Sequence, residues 1–195
     1  MSSGDPETRR RILEKTWRLM ERSRGRQVSI DDIARAAGVS RQAVYLHFGS
    51  RTGLLVETVR YVDEAKDART RLETLRQATD GVQLLESLVD FWGNYLPEIH
   101  ELAKALLAVR ETDRAAAAAW DDRMELTRQC CRVIMRCLVR DGILAPEWTP
   151  EQGAEALYAL LAVDVWERLT QESGWSSRQY VARMTTALKK IFVKQ

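Results

Sequence analysis

The sequence has little of what a disulfide-stabilised, metal-binding or membrane-spanning protein needs. It contains three Cys and two His among 195 residues, so no disulfide framework and no metal site are expected, and a reducing cytoplasm is the expected location. No uncharged stretch approaches the roughly 20 residues of a membrane-spanning helix. The arginine-rich start lacks the apolar segment of a secretory signal, and alternating β-branched runs typical of strands are absent.

What is present is the composition of a globular protein with an uneven charge. Apolar residues make up 45% and charged residues 30% of the chain, as in ordinary folded domains. Residues 1–52 carry a net charge of +5, whereas residues 53–195 carry −3. A basic segment attached to a mildly acidic body favours a polyanionic partner for that segment, although such a face is more often merely solvated.

Helix signals recur along the whole chain, so the predicted fold class is all-α. Asp5 and Pro6 mark the first start, and the series Thr149 to Gln152 and Ser176 to Gln179 both indicate capping boxes. The apolar spacing predicts helices over residues 6–23, 30–37, 41–47, 50–76, 82–96, 98–109, 112–140, 150–172 and 177–193.

Two short helices near the start carry complete local signals. Ser29 with Asp32 predicts a capping box at the first helix, and Ser40 predicts the cap of the second. Between them Gly38 suits the left-handed conformation of a tight turn. Two helices joined by such a turn form a helix-turn-helix, here predicted over about residues 29–48.

The outer side of the second helix carries the side chains that DNA recognition uses. Arg41 and Gln42 lie at its start, where forked donors can meet guanine or adenine edges in the major groove. Tyr45 and His47 follow near its end and can donate to flanking phosphates. Each of these has a plainer alternative, in which His47 is structural, Tyr45 is merely packed and Arg41 is a solvated charge.

The same stretch resembles the DNA-binding domain of the TetR family, the tetracycline-repressor-like transcriptional regulators. The matching residues span 9–60 and include Ile33-Ala34, Ala37-Gly38-Val39-Ser40, Tyr45, His47-Phe48, Arg51 and Leu54-Leu55. The resemblance implies an N-terminal three-helix helix-turn-helix domain at residues 1–50. It also implies a helical bundle at residues 51–195 for dimerisation and ligand binding.

The resemblance also assigns roles and partners. It implies a homodimeric repressor that leaves a double-stranded DNA operator when a small apolar or amphipathic effector binds, with no cofactor, no enzymatic activity and no membrane. Arg41 and Gln42 are expected at base edges, and the further DNA-binding residues implied are Ser29, Ser40, Tyr45, His47 and Arg51. The sequence departs from the family at Arg51, where Lys is usual, at Thr52-Gly53, which predicts a soft first turn, and at Trp17.

In the body, two sets of residues are candidates for function. Double apolar stripes on the last two helices predict a dimer face that includes Leu157, Leu161, Tyr180, Met184, Leu188 and Ile191. The alternative is that both helices are buried within one monomer. The predicted effector pocket draws on Phe91, Trp92, Tyr95, Trp120, Met124, Tyr158 and Trp166, with His100 as a further candidate. A continuous helix over residues 50–76 is predicted to transmit effector binding to the DNA-binding head.

The sequence also leaves three other functions to consider: a redox sensor, an enzyme and an architectural DNA-binding protein. Cys130, Cys131 and Cys137 lie on one predicted helix, but the first and last are about 10.5 Å apart along it, beyond disulfide reach, so a redox sensor is a minor alternative. The chain lacks the phosphate-binding, dinucleotide, nucleophile-elbow and zinc-protease motifs of common enzymes. A constitutive architectural DNA-binding protein, which needs no effector, is the second alternative.

Overall fold

The computed structural model describes residues 5–23, 28–75 and 80–194, and it confirms the all-α prediction. The elements are α1 (Pro6–Ser23), α2 (Ile30–Ala37), α3 (Arg41–Phe48), α4 (Arg51–Ala65), α5 (Ala68–Leu75), α6 (Gly81–Arg110), α7 (Arg114–Arg140), α8 (Pro150–Leu160), α9 (Val163–Glu167), a π-helical turn (Arg168–Glu172) and α10 (Ser177–Phe192). In the described residues the extended backbone pairing amounts to one antiparallel bridge, between Leu144 and Val193.

By packing, the chain divides into two compact units. Unit 1 comprises Met1–Asp67 and Ile99–Asp122, and unit 2 comprises Ala68–Glu98 and Arg123–Gln195. The divisions fall after α4 and within α6 and α7, so these two long helices contribute residues to both units. The functional division after residue 50 stays a prediction.

Unit 1 is organised around the short helices of the predicted helix-turn-helix. Within it α1 packs against α2 and α4, and α3 packs against α2 and α4. The small side chains of Ala34 and Ala37 allow the close crossing of α2 and α3. The buried residues of this core are Ile12, Leu13, Ile30, Ile33, Ala34, Ala37, Val44 and Leu54, with Val39 and Phe48 packed against them.

The predicted helix over residues 50–76 is wrong as a single rod. α4 ends at Ala65, and α5 begins at Ala68 after a break at Lys66 and Asp67. Asp67 has φ 49°, in the left-handed region, which a short polar side chain tolerates better than most residues. The predicted end at residue 76 lies outside the described residues.

The two predicted helices over residues 82–96 and 98–109 are one helix, α6, with Pro97 inside it. A proline in a helix interior removes one backbone hydrogen bond and costs about 3 kcal/mol. That cost is offset because large side chains are buried on both sides of it, among them Tyr95, Leu96 and Ile99. The ring of Pro97 lies on the exposed side of the helix.

The predicted helix over residues 150–172 is interrupted. α8 ends at Leu160, Ala162 has extended backbone angles, and the chain continues as α9 and the π-helical turn. At the break the indole N–H of Trp92 donates to the carbonyl oxygen of Leu161. A side chain that satisfies a backbone carbonyl in this way is a recognised cause of helix interruption.

In unit 2, α10 crosses α6 at a glycine. An added methyl group at Gly93 would lie 2.5 Å from Cγ2 of Val181 and 2.9 Å from Cδ1 of Tyr180. The glycine is therefore required by the close approach of the two helices. α10 is buried along one stripe, at Tyr180, Met184, Leu188 and Phe192.

The described residues carry neither a membrane-spanning helix nor a cluster of metal ligands. None of the helices there is both long and apolar enough to cross a bilayer. The same residues contain no group of three His, Cys, Asp or Glu side chains that could hold a metal ion.

Candidate functional site

The predicted recognition helix, α3, is fixed at both ends by local hydrogen bonds. The hydroxyl oxygen of Ser40 accepts the Ala43 N–H at 3.1 Å. Gly38, with φ 65°, makes the turn from α2 as predicted. At the far end the Gly49 N–H donates to the carbonyl of Tyr45 at 2.8 Å. These bonds hold the helix while leaving most of its side chains unused by the fold.

One face of α3 is exposed and carries four side chains, which we call the α3 face: Arg41, Gln42, Tyr45 and Leu46. Val44, which is 1% exposed, points to the opposite side. The α3 face contains both predicted base-contacting residues. Leu46 was missed by the sequence reasoning, although it lies one helical turn after Gln42 and so shares its side of the helix.

Arg41 is held loosely in front of its neighbours. Its Nη1 lies 3.4 Å from Oδ2 of Asp31, and its guanidinium lies 5.7 Å from the centre of the Tyr45 ring. A hydrogen bond to Tyr45 and the charge of Asp31 raise the pKa of Arg41. Because both members of the ion pair are exposed, the pair is worth little, and the guanidinium is free to exchange Asp31 for another acceptor.

The predicted phosphate-contacting residues differ in how far the fold uses them. Ser29 forms the predicted capping box, since its hydroxyl accepts the Asp32 N–H at 3.1 Å and donates to the Asp32 carboxylate at 2.6 Å. The hydroxyl of Ser40 accepts a bond, and within residues 5–23, 28–75 and 80–194 it donates to no partner. His47 is half-buried with its ring 5.9 Å from that of Phe48. Arg51 donates through Nη1 to the carbonyl of Val28 at 2.7 Å, so it anchors the entry to α2.

The start of α4 is tied to a second part of unit 1. The Thr52 side chain lies near Asp113, and its interaction together with the Ala116 and Ala115 N–H groups lowers the pKa of that carboxyl. Gly53 is required there, because an added methyl group would meet the carbonyl oxygen of Phe48. The Thr52–Gly53 pair, predicted to soften the turn, thus has two specific contacts. No local sequence signal pairs residues 61 positions apart.

Five of the predicted effector-binding residues belong to the interior of unit 2, where Phe91, Trp92, Tyr95, Met124 and Trp166 are buried. The rings of Phe91 and Tyr95 stack with centroids 5.1 Å apart. The hydroxyl of Tyr95 accepts Nη2 of Arg123 at 2.9 Å. In the described part of unit 2, no group lies within hydrogen-bond distance of the buried Tyr180 hydroxyl. Phe91 and Tyr95 thus form a stacked aromatic pair whose one hydroxyl group is already hydrogen-bonded.

The remaining effector candidates are placed differently. Trp120 and His100 are buried residues of unit 1, where Nδ1 of His100 lies 3.5 Å from a carboxylate oxygen of Glu101. Tyr158 is half-buried in unit 2, and the Arg128 guanidinium lies 4.6 Å from its ring centre. Tyr158 therefore lies beneath an arginine rather than in the aromatic interior.

Tyr158 lines an open cavity of about 390 Å³ between α7 and α8. The sequence reasoning did not single out this cavity. Three arginines spaced four residues apart on α7 face two glutamates on α8. The lining residues are Arg128, Arg132, Arg136, Pro150, Glu151, Ala154, Glu155 and Tyr158. Glu125 on α7 partly neutralises the arginines, with Oε1 at 3.1 Å from Nη1 of Arg132.

The residues predicted for dimerisation pack inside the chain itself. Leu157, Leu161, Tyr180, Met184 and Leu188 are buried within one protomer, so their side chains have no surface left for a partner. Only Ile191 is half-buried. The side of α10 that is open to a second copy consists of shorter and charged side chains, namely Arg178, Gln179, Ala182, Arg183, Thr186, Ala187 and Lys190. Dimerisation itself stays a prediction.

The cysteines lie on α7 without a disulfide. Cys130 and Cys131 are buried and Cys137 is half-buried, and none of these three thiols is oxidised to a disulfide. Burial, with a smaller contribution from Cys130, raises the pKa of Cys131 to about 12. A thiol with so high a pKa is a poor nucleophile at neutral pH, which argues against redox sensing at Cys131.

Comparison with known sequences agrees with the prediction of a helix-turn-helix near the start of the chain. Residues 12–58 match the family model described as bacterial regulatory proteins, tetR family. This range contains α2, α3 and the α3 face. A curated relative, the nucleoid occlusion factor SlmA of Marinobacter nauticus, is 25% identical over 159 residues, which is 80% of each chain.

Solved structures share the fold over nearly the whole chain. A putative transcriptional regulator from Saccharomonospora viridis in complex with choline superposes with a TM-score of 0.82, at 23% identity, covering 98% of this chain and 100% of that one. NalD of Pseudomonas aeruginosa, the secondary repressor of the MexAB-OprM multidrug efflux pump, has a TM-score of 0.68 at 20% identity, covering 98% and 100%. The ketosteroid transcriptional regulator KstR2 of Mycobacterium tuberculosis has a TM-score of 0.69 at 14% identity, covering 100% and 99%.

Proposed function

We propose, from the premise that this chain is a TetR-family DNA-binding transcriptional regulator, that it is a homodimeric repressor. In this proposal a small amphipathic effector releases it from an inverted-repeat operator. The observation that carries the proposal is the α3 face, because its four side chains contribute almost nothing to the fold and stand together on a firmly capped helix.

Base recognition falls to the first two residues of α3. An arginine can form two hydrogen bonds to guanine, and a glutamine can form two to adenine, in the major groove. Both side chains are exposed, and the Asp31 carboxylate that faces Arg41 is exposed as well. Arg41 therefore loses little when it leaves Asp31 for a base edge.

Phosphate contacts fall to residues at the edges of the helix-turn-helix. Ser40 keeps its hydroxyl proton available, since the fold uses only its oxygen. Tyr45 is 37% exposed and can donate beside it. Arg51 uses Nη1 for Val28 but has further N–H groups to offer. These contacts position the helix without reading sequence.

For the dimer we propose the exposed sides of α8 and α10. The small side chains of Ala182 and Ala187 on α10 and of Ala159 on α8 would let helices from a second copy approach closely. A two-fold pairing of this kind gives the symmetry that an inverted repeat requires. This face replaces the buried stripes as the candidate interface.

For the effector we propose the aromatic interior of unit 2. The stacked rings of Phe91 and Tyr95 and the unpaired Tyr180 hydroxyl suit a molecule with an apolar or cationic body and one polar group. The relative from Saccharomonospora viridis was solved with choline, a quaternary ammonium compound. Choline is therefore the first ligand to test.

The route from effector to DNA is proposed to run through α6, α7 and the contact between Thr52 and Asp113. α6 and α7 contribute residues to both units, and Asp113 begins α7 by accepting the N–H groups of Ala115 and Ala116. A shift of α7 would therefore reach Thr52, the residue next to Arg51. Thermodynamic linkage then requires that operator DNA lowers the affinity for the effector by the same factor by which the effector lowers the affinity for DNA.

The test is a DNA-binding selection with the purified chain, followed by titration of the selected duplex with choline and with a matched uncharged alcohol. The proposal expects an inverted repeat with half-sites about 34 Å apart, and release by one of the ligands. Selection of no preferred sequence contradicts the proposal. Stable binding to a selected site that no ligand releases would leave a constitutive architectural protein.

A further inference from the structure

Leu46 is the most unusual side chain on the surface of unit 1. It is 81% exposed. Among the described residues, the other exposed large hydrophobic side chains are Tyr45 at 37% and Val139 at 47%. Two of the three are thus neighbours on α3, a helix of eight residues.

The fold does not use Leu46. The core beneath α3 is reached by Val44 and by the half-buried Phe48, which lie on the other side of the helix. A polar side chain at position 46 would cost the isolated chain nothing, since exposed apolar surface gains only when it is removed from water. An apolar side chain with this exposure gains free energy only when a partner removes it from water.

The neighbours of Leu46 indicate what that partner is. One helical turn earlier on the same side is Gln42, and Arg41 and Tyr45 complete the face. A stable interface with a second protein buries about 1,600 Å², far more surface than the four side chains of the α3 face supply. A single leucine among polar donors fits instead the major groove, where the one apolar group on a base edge is the C5-methyl of thymine.

We propose that Leu46 packs against a thymine methyl group, one or two base pairs from the base that Gln42 contacts. Residues four apart on a helix have Cβ atoms about 5–6 Å apart, and successive base pairs are about 3.4 Å apart. The inference rests on the proposed function, in which the α3 face lies in the major groove. It adds a specificity residue that recognises a methyl group rather than a hydrogen-bonding edge.

The experiment removes that methyl group and nothing else. Each thymine of the selected operator is replaced in turn by deoxyuridine, and affinity is measured by fluorescence anisotropy for the wild-type chain and for Leu46→Ala. Burial of one methyl group is worth about 0.8 kcal/mol, which corresponds to about fourfold in affinity. We expect one thymine per half-site at which wild type loses about fourfold and Leu46→Ala loses less than twofold.

Two further variants separate a specific contact from a general one. Leu46→Met keeps an apolar side chain of similar length and is expected to keep the dependence on the methyl group. Val139→Ala shortens the exposed apolar residue of α7 and is expected to behave like wild type at every thymine. Because position 46 is exposed and alanine favours helix, Leu46→Ala is expected to fold, which circular dichroism checks.

The outcomes distinguish this inference from the proposed function. A selected inverted repeat in which no uracil substitution separates wild type from Leu46→Ala overturns the inference and leaves the proposed function standing. Equal weakening of all sequences by Leu46→Ala also overturns it, since that pattern belongs to positioning. If Leu46→Ala instead changes only the oligomeric state, the leucine contacts a second copy. A chain that selects no DNA overturns both.

Discussion

α3 and α10 each begin at a serine whose hydroxyl oxygen accepts a backbone N–H, but the rest of the molecule holds them differently. Of the eight residues of α3, Val44 alone is buried. α10 has four buried residues, spaced four apart over its length. α3 is kept in place by its caps and by the helices on one side, whereas α10 is fixed by apolar packing along its whole length.

The two helices therefore differ in how many side chains they leave available to a partner. A side chain that the fold does not need, such as Gln42, is available to a partner. A buried aromatic or leucine, such as Tyr180 or Leu188, is already used by the core. On α10 and its neighbours, residues of the right chemistry for a ligand or a dimer are also the residues that hold the chain together.

The largest effect is expected from shortening a buried residue of α10. Leu188→Ala removes a fully buried side chain and is expected to lower the free energy of unfolding by about 2–5 kcal/mol. Gln42→Ala on α3 is the matched control and is expected to change it by less than about 0.5 kcal/mol. Urea denaturation measures both. Equal losses would show that α3 and α10 are not held differently.

The second test separates the buried side of α10 from its exposed side. Ala187→Glu places a charge on the exposed side and is expected to weaken a dimer by at least tenfold, or about 1.4 kcal/mol, with little loss of monomer stability. Met184→Glu places the same charge on the buried side and is expected to unfold the protomer. Sedimentation and circular dichroism read the two effects. A wild-type chain that is monomeric at micromolar concentration would contradict the proposed dimer.

The third test enlarges the glycine at which α10 crosses α6. Gly93→Ala adds a methyl group within 2.9 Å of Tyr180, and the forced separation is expected to cost about 1–3 kcal/mol. Asn94→Ala, at the next and exposed position, is the control. Thermal unfolding compares them. A stabilised Gly93→Ala, as helix propensity alone predicts, would contradict the close crossing.

The smallest effect concerns an ion pair between α1 and α4, two helices that pack against each other in unit 1. The bond from Arg9, at 2.8 Å, holds the pKa of Glu57 below its usual value. A lowered carboxyl pKa adds stability above the unfolded pKa, and that stability is lost as the pH falls through the folded pKa. Glu57→Gln is therefore expected to cost less than about 1 kcal/mol at pH 7, since the pair is partly exposed, and progressively less as the pH falls through the pKa of the folded carboxyl.

The control for that titration is Glu64→Gln on the exposed side of α4. Both variants are compared with wild type by urea denaturation at several pH values. If the difference in unfolding free energy between Glu57→Gln and wild type grows toward low pH, it has the wrong sign. That result would contradict a stabilising ion pair between Arg9 and Glu57.

The sequence predicted the head closely because its signals are local. Ser29, Gly38 and Ser40 each act within three residues, so the bounds of α2 and α3 follow from short patterns. The break at Ala162 and the continuous helix through Pro97 depend instead on packing with residues far apart in the chain, such as Trp92 donating to Leu161. No local pattern encodes such a contact.

The candidate site divides in the same way. The exposure of Arg41, Gln42 and Tyr45 follows from helical spacing around Val44, and the same spacing could have identified Leu46. The contact between Thr52 and Asp113 joins residues far apart in the chain, so only the fold reveals it. In unit 2, the same types of aromatic residue can fill a core or surround a ligand, so the sequence alone does not separate these two roles.

The most direct test of the account is the sequence preference of Gln42→Ala. DNA-binding selections are carried out in parallel with wild type and with this variant, and Val139→Ala serves as the surface control. If the α3 face reads bases, Gln42→Ala loses about 1–3 kcal/mol of discrimination at one base pair of each half-site and keeps its preference elsewhere. An unchanged binding-site logo for Gln42→Ala would contradict the central claim that the exposed face of α3 recognises the operator.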